Sequence, residues 1–147
     1  MANPLVPQGN LNRLRASVVY SSSASLNVTA SYLAREAISM AFENDAGRLI
    51  GTLTGGVTSP EPYQMVTVTM HLLKTQGLSA TYKAQFESNT AVVDVTVIPD
   101  SATLPDYHLS NCVLMGISEM TLDGNQAGFA ARLQGIYYVN ANLFNLT

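Results

Sequence analysis

At 147 residues the chain is long enough for one domain with a real core, and residues 1–147 read as a single unit. Charged residues make up only 12%, about half the usual share, with net charge −3 and pI about 5.1, which excludes the basic footprint of a nucleic-acid binder. The single Cys112 excludes an intrachain disulfide, and no apolar run approaches the roughly 18 residues of a membrane span.

Residues 1–12, with Pro4, Pro7 and Gly9, read as an extended arm without the pattern of a signal peptide, so the chain is expected to be made in a cytoplasm without a membrane anchor. Residues 13–20 predict a first strand, residues 21–25 a serine-rich loop and residues 26–29 a short extended piece. Residues 36–42 alternate, with Ile38, Met40 and Phe42 on one face. Asn44-Asp-Ala-Gly47 is a turn signal, and residues 48–54 alternate more weakly, so the two runs are expected to form a hairpin. Gly55-Gly56 breaks the chain, and Pro60 and Pro62 give the next strand a sharp start.

Tyr63–Leu73 is the strongest strand. Val66, Val68, Met70 and Leu72 share the face expected in the core; Met65, Thr67, Thr69 and His71 share the other. The period then changes: Thr75 is expected to N-cap a helix, Leu78, Tyr82 and Phe86 form its apolar stripe, and Asn89 ends it in a left-handed conformation. Residues 91–98 return as a strand ended by Pro99, with Val93, Val95 and Val97 inward and Asp94 and Thr96 outward. Residues 99–105 are a loop, and residues 107–122 the longest extended stretch, with Gly116 as a bulge. Asp123-Gly-Asn-Gln-Ala-Gly128 connects it to a return strand over 129–140, whose Phe129, Ala131, Leu133, Gly135, Tyr137 and Val139 share a face. Residues 141–147 form a short tail with Leu143 and Phe144 as anchors.

About seven strands and one helix predict a mainly β protein: an antiparallel sandwich or barrel with one α-helix packed outside. Ser, Thr, Asn and Gln take the place of charge, so much of the surface is expected to be covered by partners. Long strands with few charges leave pairable edges, and pairing with identical neighbours is one way to cover them.

No chemical signature emerges. On a straight strand His108 and Cys112 share a face roughly 13 Å apart, too far to hold one metal. His71 reads as a solvated or interface histidine, and Cys112 with His71 as a nucleophile pair has no support in spacing. The glycines at 47, 51, 55 and 56 lack the Lys-Ser/Thr of a phosphate loop. The acidic residues are scattered, so no enzyme, cofactor or metal is expected.

The arm Asn3-Pro-Leu-Val-Pro-Gln-Gly-Asn-Leu-Asn-Arg13 resembles the start of tail tube proteins of contractile-tailed bacteriophages. So does Thr52-Leu-Thr-Gly-Gly-Val-Thr-Ser-Pro-Glu-Pro-Tyr63 leading into residues 65–74, and Thr96-Val-Ile-Pro-Asp-Ser101 with Tyr107-His-Leu-Ser-Asn-Cys112 extends the similarity over most of the chain. The resemblance implies a virion protein that stacks as hexameric rings. Each subunit gives strands to a continuous inner β-barrel with the helix outside. The tube lies within a sheath and conducts DNA without binding it specifically. Sheath, baseplate and tape-measure proteins are the implied partners, and the virion tail the implied location. A tube of a bacterial contractile injection system and a β-sandwich adhesin or capsid decoration module are the alternatives. Since Thr67, Thr69 and His71 are too polar for a core and too uncharged for an ordinary exposed sheet, they are expected to line the lumen with Asp94 and Thr96.

Overall fold

The computed structural model describes residues 6–9, 15–101 and 103–145. Most of the expected arm (1–5 and 10–12), the predicted strand start at 13–14 and the last two tail residues lie outside them; residues 6–9 are exposed and without regular structure. The described residues form eight strands and two α-helices: β1 (Ala16–Tyr20), β2 (Leu33–Phe42), β3 (Gly47–Gly51), β4 (Gly56–Pro60), β5 (Tyr63–Leu73), α1 (Leu78–Ser88), β6 (Ala91–Pro99), β7 (Tyr107–Glu119), β8 (Gly128–Tyr138) and α2 (Ala141–Phe144). Six strands form one antiparallel sheet in the order β1-β6-β7-β8-β5-β2, curled into a half-barrel with α1 packed outside it. β3 and β4 form a separate two-stranded sheet.

The expected hairpin between residues 36–42 and 48–54 does not form: β2 pairs with β5, and β3 with β4. The reason is burial. Ile38 and Met40 sit opposite Met70 and Val68 and extend the apolar face of β5. Gly47–Gly51 carries Leu49 beside Ile50, so it has no single face to bury, and all five residues stay exposed.

The core lies between one face of the sheet and α1. The alternation expected in β5 and β8 holds, with Val66, Val68, Met70, Leu72, Phe129, Ala131 and Leu133 buried. Leu26 and Val28 close it beside β1, where residues 24–26 and 30–32 form single 3₁₀ turns and Val28 makes one bridge to Val18 in place of an extended piece. The helix begins at Leu78 after Gly77; Thr75 makes no cap, and Asn89 is extended (φ −164°, ψ 122°) with its amide bonded to the Gln85 carbonyl. Tyr82 is the anchor of α1: its hydroxyl donates to the Leu26 carbonyl (2.9 Å) and accepts from Tyr20 (2.9 Å). Phe86 packs on Tyr82 but is only half-buried. In the tail, Leu143 and Phe144 are exposed and anchor nothing within the described residues.

Burial drives both tyrosine hydroxyls well above their ordinary pKa of 10.0. The buried Cys112 thiol is pushed up to about 12, from burial first and the Asp94 carboxylate second. Above the unfolded pKa values the unfolded chain releases these protons while the folded chain keeps them, so stability is full below and falls as pH rises. Urea midpoints should be level near pH 8, decline from about pH 9 as an unfolded thiol ionises, and fall more steeply above pH 10 as the tyrosines join, each group removing about 1.4 kcal/mol per pH unit. A Cys112→Ala variant whose midpoint stays level up to pH 11.5 would mean that water reaches the tyrosines in the folded state.

Positive φ angles mark where the regular alternation breaks. Gly116 (φ 108°) is the expected bulge, and Ala37, Val93 and Asn111 add three more. At Val93 the register shifts: Val92 takes the core position and Val93 turns out, 52% exposed, whereas Val95 and Val97 point inward as expected. Asn111 likewise moves Cys112 into the core while His108 stays opposite Thr96 on the other side, so the two do not share a face.

Candidate functional site

The surface that the residue pattern singles out is the face of the sheet turned away from the core and α1. Cross-strand register places Thr67 beside Gln134, Thr69 beside Arg132, His71 beside Ala130 and Thr96 beside His108, all on the side away from the core. Asp94 is exposed at the β6 bulge, its backbone carbonyl bonded to Ser21. The fold thus brings Thr67, Thr69 and His71 together on β5. Thr96 lies on the same face three strands away.

Thr67 is not an open side chain. It is 7% exposed and donates to Glu43 Oε1 (2.5 Å), while Gln134 Nε2 donates to Glu43 Oε2 (2.8 Å). Glu43 and Gln134 are members of this face that sequence reading missed, because one lies just past the end of β2 and the other sits on β8, 67 residues from Thr67. Arg132 is the cation of the group; its Nε is buried and, among the described residues, has no hydrogen-bond partner. Thr96 Oγ1 is 2.9 Å from His108 Nδ1. Partly exposed apolar side chains, Val19, Met65 and Val113, separate these polar groups.

Among the described residues neither rim of the sheet carries a further strand. β1 has β6 on one side and, among the described residues, only the Val28 bridge on the other. β2 has β5 on one side and, among the described residues, no strand on the other. Beside β2, the four residues 34–37 stand against the single His71, since Leu33 pairs with Leu72 and Ile38 with Met70. This wide bulge helps form a cleft of about 390 Å³ lined by Arg35, Glu36, His71, Glu119 and the 125–130 return. Gly128 is required there, as a Cβ would lie 2.6 Å from Ala34 Cβ and 3.1 Å from the Leu72 carbonyl.

At the opposite end of β2 and β5 the β3–β4 hairpin stands off the sheet. Its base is clamped: Met65 N–H donates to Asn44 Oδ1 (2.8 Å), and Asn140 Nδ2 donates to the Ala46 (2.9 Å) and Glu61 (2.7 Å) carbonyls. Thr52 closes the tip by bonding Gly55. Leu49, Ile50, Leu53 and Val57 are exposed along it, Leu53 completely at 101%.

Among the described residues no group of three or more His, Cys, Asp or Glu side chains is placed to hold a metal ion. No helix there is long and apolar enough to cross a membrane. No protein-family model matches the chain, and no curated protein matches it significantly.

Proposed function

We propose that this chain is a structural subunit that polymerises through stacked hexameric rings into a tail tube of the contractile-phage type, a conduit for DNA. The observation that carries the reading is an open half-barrel whose two edge strands lack strand partners along their outer sides among the described residues. Unpaired edges of this length are ordinarily covered, and six copies closing edge to edge would cover them. The face turned away from α1 supports the same reading. It presents hydroxyls, amides and carboxylates, and its central cation, Arg132, sits deep among them. A polyanion moving past such a surface meets little to grip.

Negative-stain microscopy and sedimentation of the purified chain test the reading. Rings or hollow tubes are expected, and a 15.7 kDa monomer at all concentrations and salts would end it. The lumen assignment has its own arm. Thr69→Lys with Thr96→Lys should leave rings intact and make them retain DNA at low salt, with release as salt rises. Thr67 is a poorer probe because a lysine there would meet Glu43. Tubes indifferent to the double substitution would place another face on the channel.

A further inference from the structure

We propose that the face turned away from α1 takes up protons just below neutral pH and then holds a nucleic-acid polyanion that it otherwise repels. The proposal rests on the reading of that face as the channel surface and adds a regulation to it. The chain has two histidines, His71 and His108. Histidine is the side chain whose ordinary titration falls between about pH 5 and 8. β5 and β7 flank β8 in the sheet, and register puts both imidazoles on the same side of it. His71 stands beside Ala130 and His108 beside Thr96, away from the core. Neither α1 nor the β3–β4 hairpin carries a histidine. Side-chain protonation in this window therefore charges one face of the molecule and leaves the others as they were.

The charges already on the face decide what two protons do there. The carboxylates of Glu43, Asp94 and Glu119 stand against the single guanidinium of Arg132. Two imidazolium groups cancel the two excess carboxylates, so repulsion of a polyanion disappears and two cationic donors face it. Every copy in a ring adds the same change to the same wall. The surroundings of each histidine leave its charge free to act. His71 is half-buried in the cleft, faced by Arg35 and Glu36 from β2, which offset each other, by Glu119 from β7 and by the uncharged Ala130 of β8. Lys74, three residues on, is turned to the Thr121 carbonyl. His108 is exposed, faced by Thr96 from β6, with Asp94 two residues back on that strand, and by the end of β8, which carries Ile136 and Tyr138. Asp106 precedes it in the loop before β7. His108 Nδ1 lies 2.9 Å from Thr96 Oγ1, a hydroxyl that both donates and accepts, so the contact survives protonation. Among the described residues neither histidine is ion-paired.

The test is fluorescence anisotropy of labelled double-stranded DNA with the full-length protein at low salt, at pH 8 and pH 6, on either side of the ordinary histidine range. The unmodified chain should bind at least about fivefold more tightly at pH 6, and the gain should vanish as salt rises. The double variant His71→Gln with His108→Gln keeps two polar, uncharged side chains; its melting temperature at pH 8 should stay unchanged and its affinity should not respond to pH. His108→Gln alone, at an exposed site, should lose part of the gain in a protein whose fold is undisturbed. An affinity that does not rise at pH 6, or that rises as much in the double variant, would overturn the proposal. The measurement does not need rings. Rings or tubes that treat DNA alike at both pH values would leave the tube standing and end its proton response. A protein that stays monomeric yet gains affinity through the two histidines would end the tube and keep the proton-sensitive face.

Discussion

Replacing Tyr82 by alanine is expected to cost about 3–5 kcal/mol, much of the stability of a domain this size. Three losses combine. The ring is fully buried under α1 and packs edge-on against Tyr20, with centroids 6.4 Å apart, and more obliquely against Phe86. Its removal opens a cavity that the curled sheet cannot fill by moving. It also strands two polar groups, the Tyr20 hydroxyl and the Leu26 carbonyl, each 2.9 Å from the Tyr82 oxygen in the intact protein. A melt followed by circular dichroism should shift down by roughly 10–20 °C. Tyr82→Phe separates the terms: it keeps the packing and removes the bonds, at about 1–3 kcal/mol. If alanine lowered the melt by less than about 5 °C, α1 would not be the lid of this core.

Gly135→Ala should cost up to about 3 kcal/mol, unusually much for one added methyl. Gly135 lies on β8 where β7 bulges at Asn111, and the bulge drives Cys112 toward it. A Cβ there would meet Cys112 Sγ at 2.5 Å and Leu109 Cβ at 2.9 Å. Neither neighbour has room to retreat, as both are buried in the core. Cys112→Ala removes the sulfur but not the leucine contact, so the double variant should recover part of the cost, about 1 kcal/mol of coupling. Urea denaturation of the four proteins measures it; strictly additive costs would show that the sulfur is not the obstacle.

These two positions differ in how far the sequence reveals them. The stripe Leu78, Tyr82, Phe86 is visible in the chain, because helical spacing is a local property. Which member dominates is not visible, since it depends on Tyr20 and Leu26 arriving from the other end of the fold. Gly135 reads only as a strand glycine on the apolar side, and its close neighbours are set by a bulge on another strand. The functional surface divides the same way. Thr67, Thr69 and His71 share a face by alternation alone, but the Glu43 carboxylate that covers Thr67 comes from beyond the next strand.

By itself, the sequence determined the mainly β class, the positions of β5, β6, β7 and β8, and most of their inward residues. Period-two alternation and helix stripes are written into neighbouring residues, and side-chain direction comes from them without knowledge of the rest. Tertiary structure alone decided strand pairing. A turn signal at residues 44–47 favours a hairpin with the preceding strand, but β2 gains a buried face only against β5, leaving β3 and β4 to pair with each other outside the core. Tertiary structure also decided the register past each bulge. At Ala37, Val93 and Asn111 one residue takes a left-handed conformation that its neighbours in sequence do not demand. Each such residue can exchange the two faces of its strand on one side of the bulge, and only the packing of the opposite strands selects where that happens.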